Sequence, residues 1–174
     1  MRSCHYFILA VLLAIISVVS VQAETPLELY NKAVQLQSEE KYEEALETID
    51  KAIDLDPELS SLYFFKSELL DHLEQYKEAL ETIDKAIDLD SEFSSLYYFK
   101  AEILDHLEQY EEEVAAIDKG LAFNPENAYK LTSKAIALKK LERYEEAADT
   151  FETATLLFQK QLKNCSIPVG TTTN

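Results

Sequence analysis

The chain has 174 residues, with 33 acidic against 16 basic side chains and only two glycines, Gly120 and Gly170. Two late glycines cannot write a phosphate-cradling loop or a dinucleotide fingerprint, and a formal charge of −17 repels the phosphates of a nucleic acid. A hydrophobic fraction of 47% is enough for a packed core and excludes wholesale disorder.

In chain order, Arg2 precedes an apolar run over residues 6–21, followed by Val21-Gln22-Ala23. A basic start, an apolar middle and small residues before a cut predict a secretory signal peptide over 1–23. The run holds about 16 residues, short of the roughly 20 that cross a bilayer core, and an uncleaved anchor over 6–21 is the alternative reading. Cleavage after Ala23 leaves 15 basic and 33 acidic residues, a charge of −18, in an exported chain. Cys4 leaves with the signal and Cys165 remains alone, so no internal disulfide framework exists. Cys165 reads as an inert tail thiol, with an intermolecular bridge as the alternative.

Tyr42, Tyr76, Tyr110 and Tyr144 are each 34 residues apart. Their surroundings move with them: residues 42–56 read YEEALETIDKAIDLD, and residues 76–90 read YKEALETIDKAIDLD. Residues 60–76 and 94–110 match in the same way. A strict period of this length is the mark of a solenoid. It divides the chain into blocks 26–59, 60–93, 94–127 and 128–161. Each block holds two apolar patterns at helical spacing, for example Tyr63, Ser67 and Leu70, then Tyr76, Ala79, Leu80, Ile83 and Ile87. Asp56-Pro57 and Asn124-Pro125 mark helix ends, because proline disfavours helical geometry in the residue before it. The expectation is an all-α chain of eight helices in four antiparallel pairs over 24–163, with a flexible tail over 164–174.

These blocks resemble the tetratricopeptide repeat over about residues 26–161. The first block supplies Leu29, Ala33, Leu36, Tyr42, Ala45, Ile49, Ala52 and Pro57 at the motif's intervals. The second supplies Tyr63, Ser67, Leu70, Tyr76, Ala79, Ile83 and Ala86; the third Tyr97, Ala101, Leu104, Tyr110, Ile117, Gly120 and Pro125. The fourth supplies Leu131, Ala135, Leu138, Tyr144, Ala147, Phe151 and Ala154. The resemblance implies a right-handed α-solenoid of four helix-turn-helix repeats. Small residues let the helices of a pair approach, and large ones fill the space between pairs.

Three departures stand out. Glu113 occupies the small slot held by Ala45, Ala79 and Ala147, where a carboxylate is either pushed to the edge or loosens the third pair. Gly120 replaces an alanine inside a helix, at about 1 kcal/mol of propensity. Lys32, Lys66, Lys100 and Lys134 stand where the strict motif has leucine, with stems over the core edge and ammonium groups reaching water. The third block is therefore expected to be the weakest.

No catalytic constellation emerges. His72 and His106 are repeat copies, about one helix spacing of 8–10 Å or more apart, too far to share a zinc ion. They are expected to sit at the ends of first helices. Carboxylate runs such as Glu111-Glu112-Glu113 read as solvated surface. The chain is expected to be a non-enzyme, with no cofactor and no metal.

The resemblance implies that the first helix of each pair lines a concave groove for a peptide or partner helix. Tyr30, Phe64, Tyr98 and Thr132 should face it, as should Val34, Glu68, Glu102 and Ile136. Asp71, His72, Asp105 and His106 follow, and then Lys139 and Lys140. The expected groove is an exposed aromatic ladder beside an acidic strip, ending in a basic patch. One ligand of the family is excluded. The subclass that grips acidic chaperone tails uses Lys, Asn, Asn, Lys and Arg. Those places hold Tyr30, Val34, Phe65, Ser95 and Phe99 in one frame, and Phe64, Glu68, Phe99, Tyr129 and Ser133 in the next. The blocks carry −7, −6, −6 and +1, which favours a basic or apolar protein ligand over the first three. The last helix is expected to run on through Leu156, Leu157, Phe158 and Leu162, either capping itself or offering a surface for a second copy. Asn164-Cys165-Ser166 also fits a glycosylation sequon.

Overall fold

The computed structural model describes residues 24–165. The expected signal peptide over 1–23 and residues 166–174 of the expected tail lie outside the described residues. Among the described residues the chain forms eight helices and no strand. They are α1 (Pro26–Ser38), α2 (Tyr42–Leu55), α3 (Ser60–His72), α4 (Tyr76–Leu89), α5 (Ser94–His106), α6 (Tyr110–Phe123), α7 (Ala128–Lys140) and α8 (Tyr144–Cys165). The strongest packing is within the pairs α1–α2, α3–α4, α5–α6 and α7–α8, and each pair packs on the next. This is the nearest-neighbour stacking of a solenoid. The last helix runs 22 residues against 13 or 14 for the others, as its apolar extension implies. None of the described helices is long and apolar enough to cross a membrane.

The first helix starts on a capping box. The Thr25 hydroxyl accepts from the Glu28 amide, and the Glu28 carboxylate accepts from the Thr25 amide at 2.8 Å. Pro26 occupies the first helical position, where its missing N–H costs nothing. The Asn127 side chain caps α7 by accepting from the Lys130 amide at 3.1 Å. Helices α2 to α6 have no side-chain cap, so their starts depend on the turns before them and on packing.

The turn inside each pair is the same device four times. Glu40, Glu74, Glu108 and Glu142 adopt φ between 57° and 60°, the left-handed region. In the second pair the Gln75 amide donates to the Leu70 carbonyl at 2.8 Å, and the Glu74 amide donates to Asp71 at 2.9 Å. The other pairs repeat both bonds. This pattern satisfies the last carbonyls of the first helix and normally carries glycine at the left-handed position. Here glutamate takes it, against a penalty of roughly 1–2 kcal/mol for an L-residue. The chain therefore manages its tight turns without the glycines its composition lacks.

The core follows the slots. Ala33, Ala45, Ile49, Ala52, Leu69, Leu70, Ala79, Ile83, Ala86, Ile103 and Ala135 are completely buried. The lysine slot does more than shield the core edge. Lys66 reaches Asp50 at 2.8 Å, Lys100 reaches Asp84 at 2.5 Å and Lys134 reaches Asp118 at 2.6 Å. Each joins the first helix of one pair to the second helix of the pair before. Lys32, on the first pair among the described residues, lies 3.6 Å from Glu24. Exposed pairs of this kind add little energy, but three in register reinforce one stacking geometry.

Gly120 has a specific reason to lack a side chain. A Cβ there would lie 2.4 Å from Cε1 of Tyr98. The Tyr98 ring is buried against α6, and its hydroxyl donates to the Asn124 carbonyl at 3.4 Å. The equivalent places on α2 and α4 hold Ala52 and Ala86.

Two outcomes test this account by urea denaturation. Glu74→Gly is expected to raise stability by about 1 kcal/mol, because glycine takes the left-handed turn without strain. Gly120→Ala is expected to lower stability by about 1–3 kcal/mol, overpacking against Tyr98 outweighing alanine's better helix propensity.

Candidate functional site

The first helices α1, α3, α5 and α7 carry every residue expected to bind. Tyr30 and Phe64 are half-buried on this face. Tyr30 meets Phe65 edge-on at 5.1 Å, and Phe64 meets Phe99 edge-on at 5.4 Å. Val34 and Ile136 are exposed. Thr132 is half-buried, its hydroxyl donating to the Ala128 carbonyl at 2.9 Å. Tyr98 departs from the expected exposed ladder: at 7% exposure it has sunk into the space that Gly120 opens. The ladder is thus two half-buried rings, not three free ones.

The histidines end α3 and α5, and each also packs on the start of the preceding helix, α2 or α4. His72 stacks on Tyr42 at 4.8 Å and His106 on Tyr76 at 4.6 Å. The expected basic patch is partly consumed. Lys140 pairs with Asp105 across the gap between α7 and α5, and its ammonium lies 4.5 Å from the Tyr110 ring centroid. Lys130 pairs with Glu102 at 2.5 Å and lies 5.4 Å from the Tyr98 ring. The fourth pair therefore neutralises two acids of α5, besides Asp118 of α6, which Lys134 engages. Lys139 stays exposed.

A cleft of about 340 Å³ opens among these helices. Asp71, Glu102, Asp105 and Glu113 line it with acid, Lys130 and His106 contribute at its edge, and Ile117, Ile136 and Tyr98 make apolar walls. Glu113 reaches it from α6, a second helix. At 5% exposure it is neither pushed to the edge nor able to dissolve its helix, which continues unbroken through it. Its Oε2 is buried without a hydrogen-bond partner. Burial, with Asp105 nearby, pushes its carboxyl up to about 7, against the opposing pull of Lys140. Asp71 Oδ1 is likewise buried without a hydrogen-bond partner, and His106 Nε2 stands 3.9 Å from it. Burial raises the Asp71 carboxyl, with Glu102 adding to the rise and both histidines countering it. Burial and the charge of Asp71 raise Glu68. Among the described residues no group of three or more His, Cys, Asp or Glu is placed to hold a metal ion.

Glu113 is the residue that sequence reasoning left out of the site. The signal was present, since it is the one acid in a slot of alanines, but it read as a defect of packing. Only the arrangement of α5, α6 and α7 shows that its side chain reaches the face of the first helices.

A tetratricopeptide repeat family model matches residues 30–92 and 68–128. No curated protein sequence matches significantly. Among solved structures, the chain is similar to a crystal structure of MamA, with TM-score 0.78 and 18% identity over 84% of this chain and 86% of that one. It is also similar to MamA from Desulfovibrio magneticus RS-1, with TM-score 0.73 and 24% identity over 78% of this chain and 77% of that one. A third is YrrB, described as a TPR protein with an unusual peptide-binding site, with TM-score 0.70 and 24% identity over 81% of this chain and 73% of that one.

Glu113 makes stability depend on pH. Its folded carboxyl is raised, so its contribution is complete below the ordinary carboxylate value and is lost as pH rises through about 7. Replacing it with the alanine of the other pairs is expected to stabilise the chain at pH 8, by on the order of 3 kcal/mol relative to the effect at pH 4. Urea denaturation of both proteins across that range checks the sign.

Proposed function

The chain belongs to the tetratricopeptide repeat family, and we propose that it is a non-catalytic scaffold that holds a peptide or partner helix on the face of α1, α3, α5 and α7. The observation that carries this reading is the mixture on that face. Exposed Val34 and Ile136 stand beside half-buried aromatic rings and beside the acids Glu68, Asp71 and Glu113, which have no strong cationic partner. Apolar anchors supply affinity, and the surrounding charge selects the partner. The peptide site attributed to YrrB supports the same use of this fold. The ligand is basic or apolar, because the first three blocks carry −7, −6 and −6. The scaffold acts outside the cytoplasm, the reading supported by the basic, apolar and small-residue pattern of residues 1–23.

Cross-linking in the native compartment, followed by identification of the bound chain, provides the partner. With that partner, Glu68→Lys combined with Glu102→Lys is expected to weaken binding by about tenfold or more and to flatten its dependence on salt. The same change at Glu47 and Glu81, exposed on second helices, is expected to have little effect. Equal affinities for all three proteins would reject the face.

A further inference from the structure

We propose that the cleft bounded by α3, α5, α6 and α7 is a pocket for one cationic side chain of the bound partner, a lysine or arginine seated against Glu113 and Asp71. This deepens the scaffold reading above and rests on it for the identity of the occupant as part of a partner chain.

Two carboxylates lining one cleft each present a buried oxygen without a hydrogen-bond partner, Glu113 Oε2 and Asp71 Oδ1. A buried carboxylate without a counter-charge is strongly unfavourable, and it is relieved by protonation or by a cation that brings hydrogen-bond donors. The chain's own cations nearby are committed elsewhere. Lys130 is held by Glu102 and Lys140 by Asp105, both between α5 and α7. His106 stands 3.9 Å from Asp71 and is charged only when protonated. Asp105 and Lys140 act on Glu113 directly, and Glu102 and His106 from α5, Asp71 from α3 and Lys130 from α7 line the same cleft.

The walls suit a long aliphatic stem. Ile117, Ile136 and Tyr98 give apolar walls to the same cleft that the acids line. At about 340 Å³ it lies at the low end of ligand clefts, which run roughly 300–1,000 Å³, a scale fit for a side chain and not for a helix. An entering ammonium or guanidinium stabilises the charged form of Glu113. Since that carboxyl stands near 7 without the ligand, binding releases a proton and tightens as pH rises from about 6 to about 8.

The test uses the full chain, isotope-labelled for NMR. The probes are blocked alanine tripeptides with arginine or lysine at the centre, compared with their neutral counterparts containing citrulline or norleucine. Saturable shifts at the amides of Ile117, Ser133 and Ile136 are expected with either cationic peptide. Binding by the neutral peptides is expected to be at least about tenfold weaker. The Glu113 carboxyl should titrate lower in the presence of the cationic peptide. In Glu113→Gln the cationic advantage and most of the pH dependence should vanish. If that variant does not fold, Glu113→Ala carries the same comparison. Equal binding of neutral and cationic peptides, or an unchanged advantage in the variant, would overturn the pocket. The two readings fail separately. A cross-linked partner that engages this face and binds Glu113→Gln as tightly as the parent removes the pocket and keeps the scaffold. A cationic peptide that binds here while the partner touches only second helices keeps the pocket and removes the scaffold's proposed face.

Discussion

Everything in this molecule depends on how closely two helices of a pair can approach. That approach is set by the small slot at Ala45, Ala79, Glu113 and Ala147 and by its counterpart at Ala33, Ser67, Ala101 and Ala135. With small side chains there the helices meet, and the large residues between them are driven into the gaps between successive pairs. No pair can bury its own apolar surface. Stability is therefore a sum over contacts between neighbours, and a fault in one pair stays largely local. This locality is what lets the third pair carry a buried carboxylate in a slot that elsewhere tolerates only a methyl group.

The third pair gathers the irregularities, and they are linked. Tyr98 is buried because Gly120 leaves room for its ring. Its ring then forms a wall of the cleft that Glu113 also lines. Lys130 and Lys140 reach from α7 to Glu102 and Asp105 and stand near the rings of Tyr98 and Tyr110. A glycine, a buried tyrosine, a buried acid and two committed lysines thus form one arrangement. Each is unfavourable or unremarkable alone; together they make a shaped recess in a surface that elsewhere repeats.

The fold was legible in the sequence because a period of 34 residues is a statement about architecture that needs no side-chain detail. Helix starts and ends followed from the same repetition, and the length of α8 followed from its continuing apolar pattern. What was not legible depended on pairs of positions. Lys66, Lys100 and Lys134 read as residues that shield a core edge, because their acidic partners Asp50, Asp84 and Asp118 lie 16 residues earlier, on the preceding pair. Tyr98 read as one rung of an exposed ladder, because the glycine that admits it lies 22 residues later, on another helix. The left-handed turns were invisible for a different reason. Glutamate at Glu40, Glu74, Glu108 and Glu142 has no propensity for positive φ, and the closing hydrogen bonds from its own amide and from that of the following residue hold it there.

The distribution of charge changes meaning once these pairs are known. By sequence, the fourth block is close to neutral and its lysines form a separate basic end. In the structure three of those lysines, Lys130, Lys134 and Lys140, serve the third pair, so the boundary between acidic and basic surface does not fall between the third and fourth repeats. The recessed acids left without a strong cationic partner are Glu68, Asp71 and Glu113, on α3 and α6, toward the middle of the chain and partly beneath its surface. Partial burial matters more than number here. A solvated carboxylate attracts a cation weakly and loses it to salt, whereas a desolvated one gains more from a cation that replaces its missing hydration. The long acidic runs on exposed second-helix surfaces therefore contribute a diffuse field and little selectivity. In the proposed site it is the recessed acids, Asp71 and Glu113, that would discriminate between side chains.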